Sequence, residues 1–250
     1  MKVRLDKVLF QKGLVASRSQ AESYVRLGYV TVNGTSVTKP GAMIGPEDDV
    51  KLKVVEQYVS RAGLKLASVV ERLKVDFSEK IVLDVGSSTG GFTDYALKHG
   101  AQKVVAVDVG TDQLHPRLRS DDRIELHEKT DIRDYAAGWK GAGAPAFDVV
   151  VMDVSFVSLR DILPSIAPLC TPETEVIAMV KPQFEAGKQQ VSKGVIKNDS
   201  VRRQILREFE QWVGKLFVVV DKADSEVAGA KGNRERFYLL RKTRTSPLSS

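Results

Sequence analysis

The stretch that decides the fold reads Leu83-Asp84-Val85-Gly86-Ser87-Ser88-Thr89-Gly90-Gly91-Phe92. It follows an apolar run at 81–85 and leads into helical spacing at 92–99, which predicts a strand, a glycine-rich turn and a helix. Glycines let such a turn bend sharply and approach a ligand closely. The turn is not a dinucleotide-binding fingerprint, because Ser88 occupies a glycine position. It is not a P-loop either, because no Gly-Lys-Ser/Thr follows.

Short apolar runs recur along the rest of the chain, at 104–108, 148–153, 176–180 and 217–220, with a weaker one at 123–127. Runs that are apolar on both faces are typical of buried parallel strands, and helical patterns separate them, as at 201–213. A last run at 235–241 follows 217–220 without a helical pattern, which favours an antiparallel hairpin at the sheet edge. The pattern predicts an α/β fold with a Rossmann-like, doubly wound sheet of seven strands.

Charged residues stand at the ends of several predicted strands. Asp84 and Asp108 end the first two, and a carboxylate at the second position can bind both ribose hydroxyls of an adenosine. Asp153 and Lys181 end the fourth and fifth strands, at the edge where α/β sheets bind ligands. These residues favour a nucleoside cofactor, and the alternative is a purely structural turn in an unrelated α/β protein. A single charged strand end is explained by solvent alone, but several at one edge favour a functional site.

Residues 1–58 have a different pattern, which predicts a separate small α+β domain. Helical spacing relates Leu5, Val8, Leu9 and Leu14. The sequence Ser-Gln-Ala-Glu at 19–22 is a capping box that would open a second helix, bury Ala21 and Val25, and end near Gly28. Asn33-Gly34 within the alternating run 29–37 predicts a hairpin, and 49–54 alternates as a closing strand.

Basic residues concentrate around the two predicted helices of this domain. The whole chain has a net charge of +6, and positions 1–58 hold nine Lys and Arg against six Asp and Glu. Three of those acids cluster on one loop at 47–49, so the charges are segregated as a phosphate-binding face requires. For each base alone an ordinary solvated charge is the simpler explanation, but as a group they favour RNA binding. The predicted phosphate contacts are Arg4, Lys7, Lys12, Arg18 and Arg26.

The composition excludes several classes of protein. Hydrophobic residues make up 42% and charged residues 28% of the 250 positions, as is usual for a globular protein. With Cys170 as the single cysteine, neither an internal disulfide nor a cysteine-based zinc site is possible, and no metal is predicted. There is no secretory signal pattern and no run of about 18 apolar residues, so we expect a cytoplasmic protein without a membrane span.

The chain as a whole resembles the TlyA family. That family joins an RNA-binding domain like that of ribosomal protein S4 to an FtsJ-like ribose 2′-O-methyltransferase domain, here expected at 1–58 and 59–245. The stretches that carry the resemblance are Arg4-Leu5-Asp6, Ser17-Arg18-Ser19-Gln20-Ala21, Val32-Asn33-Gly34, Ser60-Arg61-Ala62-Gly63-Leu64-Lys65-Leu66, Asp84 to Phe92, Asp153-Val154-Ser155-Phe156, Lys181-Pro182-Gln183-Phe184-Glu185 and Gly232-Asn233-Arg234-Glu235.

The resemblance implies an S-adenosyl-L-methionine cofactor, and rRNA or a ribosomal subunit as the partner, with cytidine as the expected target. The catalytic tetrad that it implies is Lys65, Asp153, Lys181 and Glu235. The cofactor-binding residues that it implies are Asp84, Gly86, Ser87, Ser88, Gly90, Gly91, Phe92, Asp108 and Asp131.

A ribose hydroxyl is barely ionised at neutral pH, so methyl transfer to it needs a base or a cation beside the oxygen. Lys181 is the candidate for this role. Desolvation or a neighbouring cation such as Lys65 would favour its neutral amine, while Asp153 would orient it. Glu235 would orient the substrate or one of the lysines.

Three other functions stay open at this stage. The first is a non-catalytic RNA-binding factor of the ribosome, and the full tetrad argues against it. The second is a membrane-active haemolysin, as members of the family are often labelled. The third is a methyltransferase that acts on a base or a small molecule. The sequence after the fourth strand, Asp153-Val154-Ser155-Phe156, differs from the Asn-Pro-Pro-Tyr type that methylates amino groups.

Overall fold

A helical pair opens the chain. The computed structural model describes residues 2–15, 18–26, 28–52, 58–139, 146–186, 194–196, 198–227, 229 and 232–243. Strand β1 (Val3–Arg4) leads into helix α1 (Leu5–Gln11), and helix α2 (Arg18–Arg26) packs beside α1.

The two helices share the apolar core that their spacing predicted. Four of the core residues are fully buried, namely Leu5, Leu9, Ala21 and Val25. Helix α2 begins at Arg18, one residue before the Ser-Gln-Ala-Glu stretch that was predicted to open it. The Arg18 guanidinium donates to the Asp6 carboxylate of α1 at 2.8 Å, and this contact holds the start of α2 against α1.

The predicted hairpin follows α2. The strands are β2 (Val30–Val32), β3 (Thr35–Ser36), β4 (Met43–Ile44) and β5 (Val50–Leu52), with β2 between β3 and β5, and β4 paired to β1. Asn33 and Gly34 have φ angles of 51° and 79°, both left-handed, as a tight hairpin turn of the predicted kind requires. The closing strand is confirmed over β5, and residues 53 and 54 of that prediction lie outside the described residues.

The larger part of the chain alternates strands and helices. Its elements are α3 (Arg61–Leu73), β6 (Ile81–Val85), α4 (Gly91–Lys98), β7 (Lys103–Val107), α5 (Pro116–Arg119), β8 (Ile124–His127), α6 (Ile132–Gly138), β9 (Val149–Met152), α7 (Leu159–Ile166), a 3-10 turn (Ala167–Leu169), β10 (Glu175–Val180), α8 (Pro182–Glu185), α9 (Asp199–Val213), β11 (Phe217–Asp224) and β12 (Arg236–Lys242).

Seven strands form one mixed sheet in the order β11-β12-β10-β9-β6-β7-β8. The five strands from β10 to β8 in that order are parallel, and β12 is antiparallel to both β10 and β11. This confirms the predicted doubly wound sheet and the antiparallel pair at its edge. The chain turns from β6 to β7 on one side and places β9 on the other, and such a switch point opens a ligand crevice at the carboxyl ends of the strands.

The sheet separates two apolar cores. On one face the buried residues include Leu66, Val82, Phe92, Val149, Ile177 and Phe237. On the other face they include Leu83, Val150, Ile162, Val176, Phe209 and Tyr238. Adjacent residues of one strand, such as Val82 and Leu83, belong to opposite cores, as the alternation of side chains along a strand requires. The rigid sheet between these cores fixes where its carboxyl ends lie.

Helices α3 and α4 approach each other closely at their first residues. A Cβ atom added to Gly91 would lie 2.3 Å from the Ser60 hydroxyl oxygen and 2.7 Å from the Ala62 Cβ, so no larger residue fits there. Ser60 caps α3 by accepting a hydrogen bond from the Ala62 backbone amide at 3.3 Å. This contact sets the position of α3, which carries Lys65, relative to the glycine-rich turn.

We expect Gly91→Ala to lower the free energy of unfolding by about 1–3 kcal/mol, because the added methyl group must push α3 and α4 apart. Gly138→Ala is the matched control, since Gly138 lies in α6 and a Cβ there meets no atom within 4 Å. That control should be neutral or stabilise by up to about 1 kcal/mol through helix propensity. Chemical denaturation measures both, and equal stabilities of the two variants would contradict the packing argument.

Candidate active site

The glycine-rich turn after β6 passes close to the end of β9. Gly86 has a φ angle of 79°, and a Cβ atom added to it would lie 3.1 Å from the Asp153 carbonyl oxygen. The Gly86 backbone amide donates to the Val107 carbonyl oxygen at 2.9 Å, which fixes the turn to the end of β7 as well. The turn therefore lies at the switch point between three strand ends, where only glycine has both the conformation and the room.

A cavity of about 450 Å³ opens beside this turn. That volume is in the usual range for a small-molecule or cofactor site. Its walls come from the ends of β6, β7 and β9 and from the start of α6. Four of the nine residues that were predicted to bind cofactor line it, namely Gly86, Ser88, Asp108 and Asp131.

Two of these four are carboxylates that the backbone holds in place. Asp108 accepts hydrogen bonds from the Ser88 amide at 2.8 Å and from the Gly110 amide at 2.6 Å. Asp131 caps α6 through the Arg133 amide, and hydrogen bonds from the Arg133 guanidinium lower the pKa of the Asp131 carboxyl. A carboxylate oxygen can accept more than one hydrogen bond, so both groups can still bind ligand hydroxyls or amines.

Asp84, near the end of β6, and Ser87, within the turn, each carry an unpaired polar atom. Asp84 is 1% exposed, and its Oδ2 accepts a hydrogen bond from the Thr93 hydroxyl at 2.6 Å. Within the described part of the chain, Asp84 Oδ1 and the Ser87 hydroxyl are buried without a hydrogen-bond partner. Burial raises the pKa of the Asp84 carboxyl to about 7. Buried polar atoms are usually paired, so these two are available to a ligand with donor groups.

The other three predicted cofactor residues occupy packing positions and do not line the cavity. A Cβ atom on Gly90 would lie 2.4 Å from the Leu118 side chain, and Gly91 is pressed against α3. Phe92 is 2% exposed, and its ring centroid lies 6.1 Å from that of Phe237. The structure thus explains these residues by packing, and their contact with cofactor stays a prediction.

The ends of β9 and β10 bring Asp153 and Lys181 together. Lys181 Nζ lies 2.5 Å from Asp153 Oδ1, and it donates a hydrogen bond to the Ser155 hydroxyl at 2.7 Å. The two charged side chains are 8% and 16% exposed. The parallel pairing of Ala178 with Met152 produces this contact, because it brings both strands to an end at the same edge of the sheet.

Lys65 and Glu235 form a second ion pair at the same edge. Lys65 Nζ lies 2.6 Å from Glu235 Oε2, with side chains 11% and 2% exposed. Glu235 precedes Arg236, which pairs with Val180, so Glu235 lies next to the position of Lys181 across the sheet. The four residues of the implied tetrad are therefore two ion pairs. Glu235 offsets part of the charge of Lys65, which weakens the effect that Lys65 was predicted to have on the Lys181 amine.

Phe156 is a site residue to which the sequence analysis gave no role. It lines the cavity, its φ angle is 66°, and it is 91% exposed. Its ring centroid lies 5.3 Å from that of Phe184. A bulky residue in the left-handed region is strained, and a large exposed aromatic ring at a cavity indicates a binding surface. The sequence signal that could have indicated this role is the position of Phe156, three residues after Asp153 at the end of a predicted strand.

Asp6 forms ion pairs with two of the predicted RNA-binding residues. Arg4 Nε and Arg18 Nη2 lie 3.0 Å and 2.8 Å from the fully buried Asp6 carboxylate. Burial by itself would raise the pKa of Asp6, but the hydrogen bonds from the two guanidinium groups lower it to about 2. Both arginine side chains are half exposed. The other three predicted residues, Lys7, Lys12 and Arg26, are also exposed.

A family model described as FtsJ-like methyltransferase matches residues 58–242. The chain belongs to the FtsJ-like methyltransferase family. A second model, described as S4 domain, matches residues 3–50 of this FtsJ-like protein. Both halves of the resemblance seen in the sequence are thereby confirmed.

Similar proteins span nearly the same length as this FtsJ-like protein. The 23S rRNA (cytidine-2′-O)-methyltransferase TlyA of Campylobacter jejuni is 36% identical over 248 residues, covering 91% of this chain and 95% of the relative. Hemolysin A of Brachyspira hyodysenteriae is 39% identical over 235 residues, covering 93% and 97%. A solved structure of a candidate hemolysin from Streptococcus thermophilus superimposes with a TM-score of 0.71 at 37% identity, covering 98% and 90%.

No helix in the part of the chain that the structure describes is long and apolar enough to cross a membrane.

We expect Asp84→Asn to change how stability depends on pH. The wild-type carboxyl has a pKa of about 7 in the folded state and 3.8 when unperturbed. The protein interior disfavours the charged form of this carboxyl, so folding favours the protonated acid. The contribution of Asp84 to stability is therefore fully present below pH 3.8 and is lost as the pH rises through 7. The asparagine stays neutral. The difference in unfolding free energy between variant and wild type should grow by on the order of 4 kcal/mol between pH 4 and pH 8.

Urea denaturation at several pH values measures this difference. Parallel stability curves for the two proteins would contradict the raised pKa of the buried Asp84 carboxyl.

Proposed function

We propose that this protein is an S-adenosyl-L-methionine-dependent methyltransferase that methylates a ribose 2′-hydroxyl of ribosomal RNA, with cytidine as the expected nucleotide. The observation that carries the proposal is the pair formed by Lys181 and Asp153 beside the cavity. The name of the Campylobacter jejuni relative, which specifies cytidine 2′-O-methylation of 23S rRNA, supports the substrate class.

The cavity has suitable groups for this cofactor. Asp108 would bind the ribose hydroxyls, and Asp131 would accept a hydrogen bond from the adenine amine. The unpaired Asp84 Oδ1 and Ser87 hydroxyl would bind the charged amino-acid end. Gly86 would allow the backbone to approach the ligand. When bound, the cofactor supplies an electrophilic methyl group on a sulfonium that departs as a neutral thioether.

Lys181 would act on the attacking hydroxyl. A neutral lysine amine has two N–H donors and one lone pair. Asp153 and Ser155 accept from the two donors, which leaves the lone pair to accept the proton on the ribose 2′-oxygen. As that oxygen forms its bond to carbon, its proton passes to the neutral amine of Lys181. Asp153 then faces the ammonium that results, so the charge formed at Lys181 is stabilised where it appears.

Lys65 and Glu235 would position the nucleotide and Lys181. Glu235 Oε2 is nearly fully buried against Lys65, so the pair is a fixed part of the site wall. Phe156 would stack on a base at the mouth of the cavity, where its exposed ring lies next to that of Phe184. Aromatic stacking on an unpaired base is a usual way to bind single-stranded RNA.

The N-terminal unit would bind the RNA backbone. We place the domain boundary as the sequence predicted, at 1–58 and 59–245. Arg4 and Arg18 share one buried carboxylate, so their guanidinium groups are held together at the surface with donors free for phosphate. Ribosomal RNA as a substrate implies a cytoplasmic location. The tetrad argues against a purely non-catalytic ribosome factor.

The experiment that tests the proposal is product analysis. Purified protein, radiolabelled S-adenosylmethionine and rRNA, offered free and as ribosomal subunits, should yield a 2′-O-methylated nucleoside after complete digestion. A methyl group recovered on a base would show a different reaction. Transfer that fails on every RNA while labelled cofactor still binds would favour the non-catalytic factor. A liposome-leakage assay with the same RNA-free preparation tests the haemolysin alternative.

For the same assay we expect Lys181→Ala to slow single-turnover methyl transfer by about 10²–10⁴-fold, the range for a lost acid–base group. Cofactor and RNA affinity should change little, because the contribution arises in the transition state. Lys181→Arg should not restore the rate, since a guanidinium keeps its proton. A rate near that of wild type in Lys181→Ala would remove Lys181 from the mechanism.

We expect Arg4→Ala and Arg18→Ala each to weaken RNA binding and to reduce the slope of log affinity against log salt by about 0.7–0.9. Lys51→Ala is the matched control, because Lys51 is an exposed base of the same unit but lies on β5, paired with Asp49. Its salt slope should equal that of wild type. Equal slopes for all variants would contradict phosphate contact by the arginine pair.

A further inference from the structure

Two neighbouring loops carry the groups of the Lys181–Asp153 pair. One loop runs over 153–158, from the end of β9 to the start of α7, and it contains the Ser155 hydroxyl that accepts from Lys181. The other begins at Lys181 and continues as the short helix α8, which ends at Glu185. The alignment of the pair therefore depends on how these two loops are held relative to each other.

Glu185 joins the far ends of the two loops. Its side chain is 1% exposed. The Ser158 hydroxyl donates to Glu185 Oε2 at 2.6 Å, and the Leu159 backbone amide donates to Oε1 at 2.7 Å. The Arg160 guanidinium nitrogen Nε lies 3.6 Å from Oε2. Both carboxylate oxygens of Glu185, at the end of α8, therefore accept hydrogen bonds from residues at the start of α7.

The two loops contact each other at three successive points. Lys181 meets Asp153 at the sheet edge, Phe184 meets Phe156 in the middle with ring centroids 5.3 Å apart, and Glu185 meets the start of α7. The middle contact includes the strained and exposed Phe156. A strained residue persists only where its surroundings determine its conformation, and Glu185 fixes the same loop two residues beyond Phe156, at Ser158.

Joining the two loops through the buried Glu185 carboxylate costs free energy of desolvation. Burial raises the pKa of Glu185, which shows that the interior disfavours its charge, although Ser158, Leu159 and Arg160 offset part of that cost. An apolar contact would join the loops without this cost, but it would not fix the direction of two backbone segments as hydrogen bonds do.

We infer that Glu185 is a positioning residue for methyl transfer, which holds the 153–158 loop so that Asp153, Ser155 and Phe156 stay aligned with Lys181. The inference rests on the proposed function of that site. Glu185 acts through the loop and not on the substrate, so its loss should change the rate of the chemical step while both ligands still bind.

Single-turnover kinetics separate positioning from folding, because the amplitude reports the fraction of active protein and the rate constant reports the alignment. With saturating cofactor and rRNA, Glu185→Ala should lower the rate constant by about 10- to 100-fold, as misplaced reacting groups do. Glu185→Gln keeps the shape and one acceptor, so its rate constant should lie between those of wild type and Glu185→Ala. It also provides a folded variant if Glu185→Ala is unstable.

Asp148→Ala is the matched control. Asp148 also accepts a hydrogen bond from a neighbouring backbone amide, that of Ile81 at 2.8 Å. This contact lies at the amino-terminal ends of the parallel strands, opposite to the proposed site. This variant should lose stability without a change in the rate constant. A wild-type rate constant in Glu185→Ala and Glu185→Gln, with only the amplitude or melting temperature lowered, would overturn the inference.

Hydrogen–deuterium exchange tests the same inference without catalysis. Amides of 153–160 should exchange faster in Glu185→Ala than in wild type, and Asp148→Ala should leave this segment unchanged. Unchanged protection in Glu185→Ala would contradict the role of Glu185 in holding the loop. If wild-type protein transfers no methyl group to rRNA, the proposed function fails, and the exchange measurement still decides whether Glu185 holds the loop.

Discussion

Lys181 and Asp153 hold each other at the ends of two neighbouring parallel strands, with Nζ and Oδ1 2.5 Å apart and both side chains mostly buried. Either charge alone would be costly at this depth, because it would lose water without gaining a partner. Together they keep an amine at the sheet edge in a fixed place beside the cavity. The Lys65–Glu235 pair, the Phe156 and Phe184 rings and the loop contacts of Glu185 have their proposed functions only in relation to that amine.

The sheet topology creates this arrangement. β12 is inserted antiparallel between β10 and β11, so its first residue lies at the same edge as the last residue of β10. That placement brings Glu235, near the end of the chain, next to Lys181. The close packing of α3 on α4 brings Lys65 from before the first strand of the sheet. Residues far apart in sequence thus meet because strand order and helix packing, not local spacing, determine the edge.

The sequence predicted those parts of the site that depend on a single strand end. Asp108, Asp153 and Lys181 each follow an apolar run, so their edge could be predicted from the pattern alone. The pairing of Lys65 with Glu235 could not, because it depends on the insertion of β12 and was implied only by the family resemblance. The packing positions of Gly90 and Gly91 were also missed, since a glycine in a turn serves ligand approach and helix packing with the same sequence signal. Nothing in the sequence indicated that Glu185 would reach α7.

In the proposed mechanism Lys181 and Asp153 act as one unit in methyl transfer. The most direct test is a double-mutant cycle of Lys181→Ala and Asp153→Ala, measured as single-turnover rate constants with saturating cofactor and rRNA. If the carboxylate acts through the amine, the double variant should be about as slow as Lys181→Ala alone, because Asp153 has nothing left to orient. A double variant whose loss equals the product of the two single losses would contradict the account.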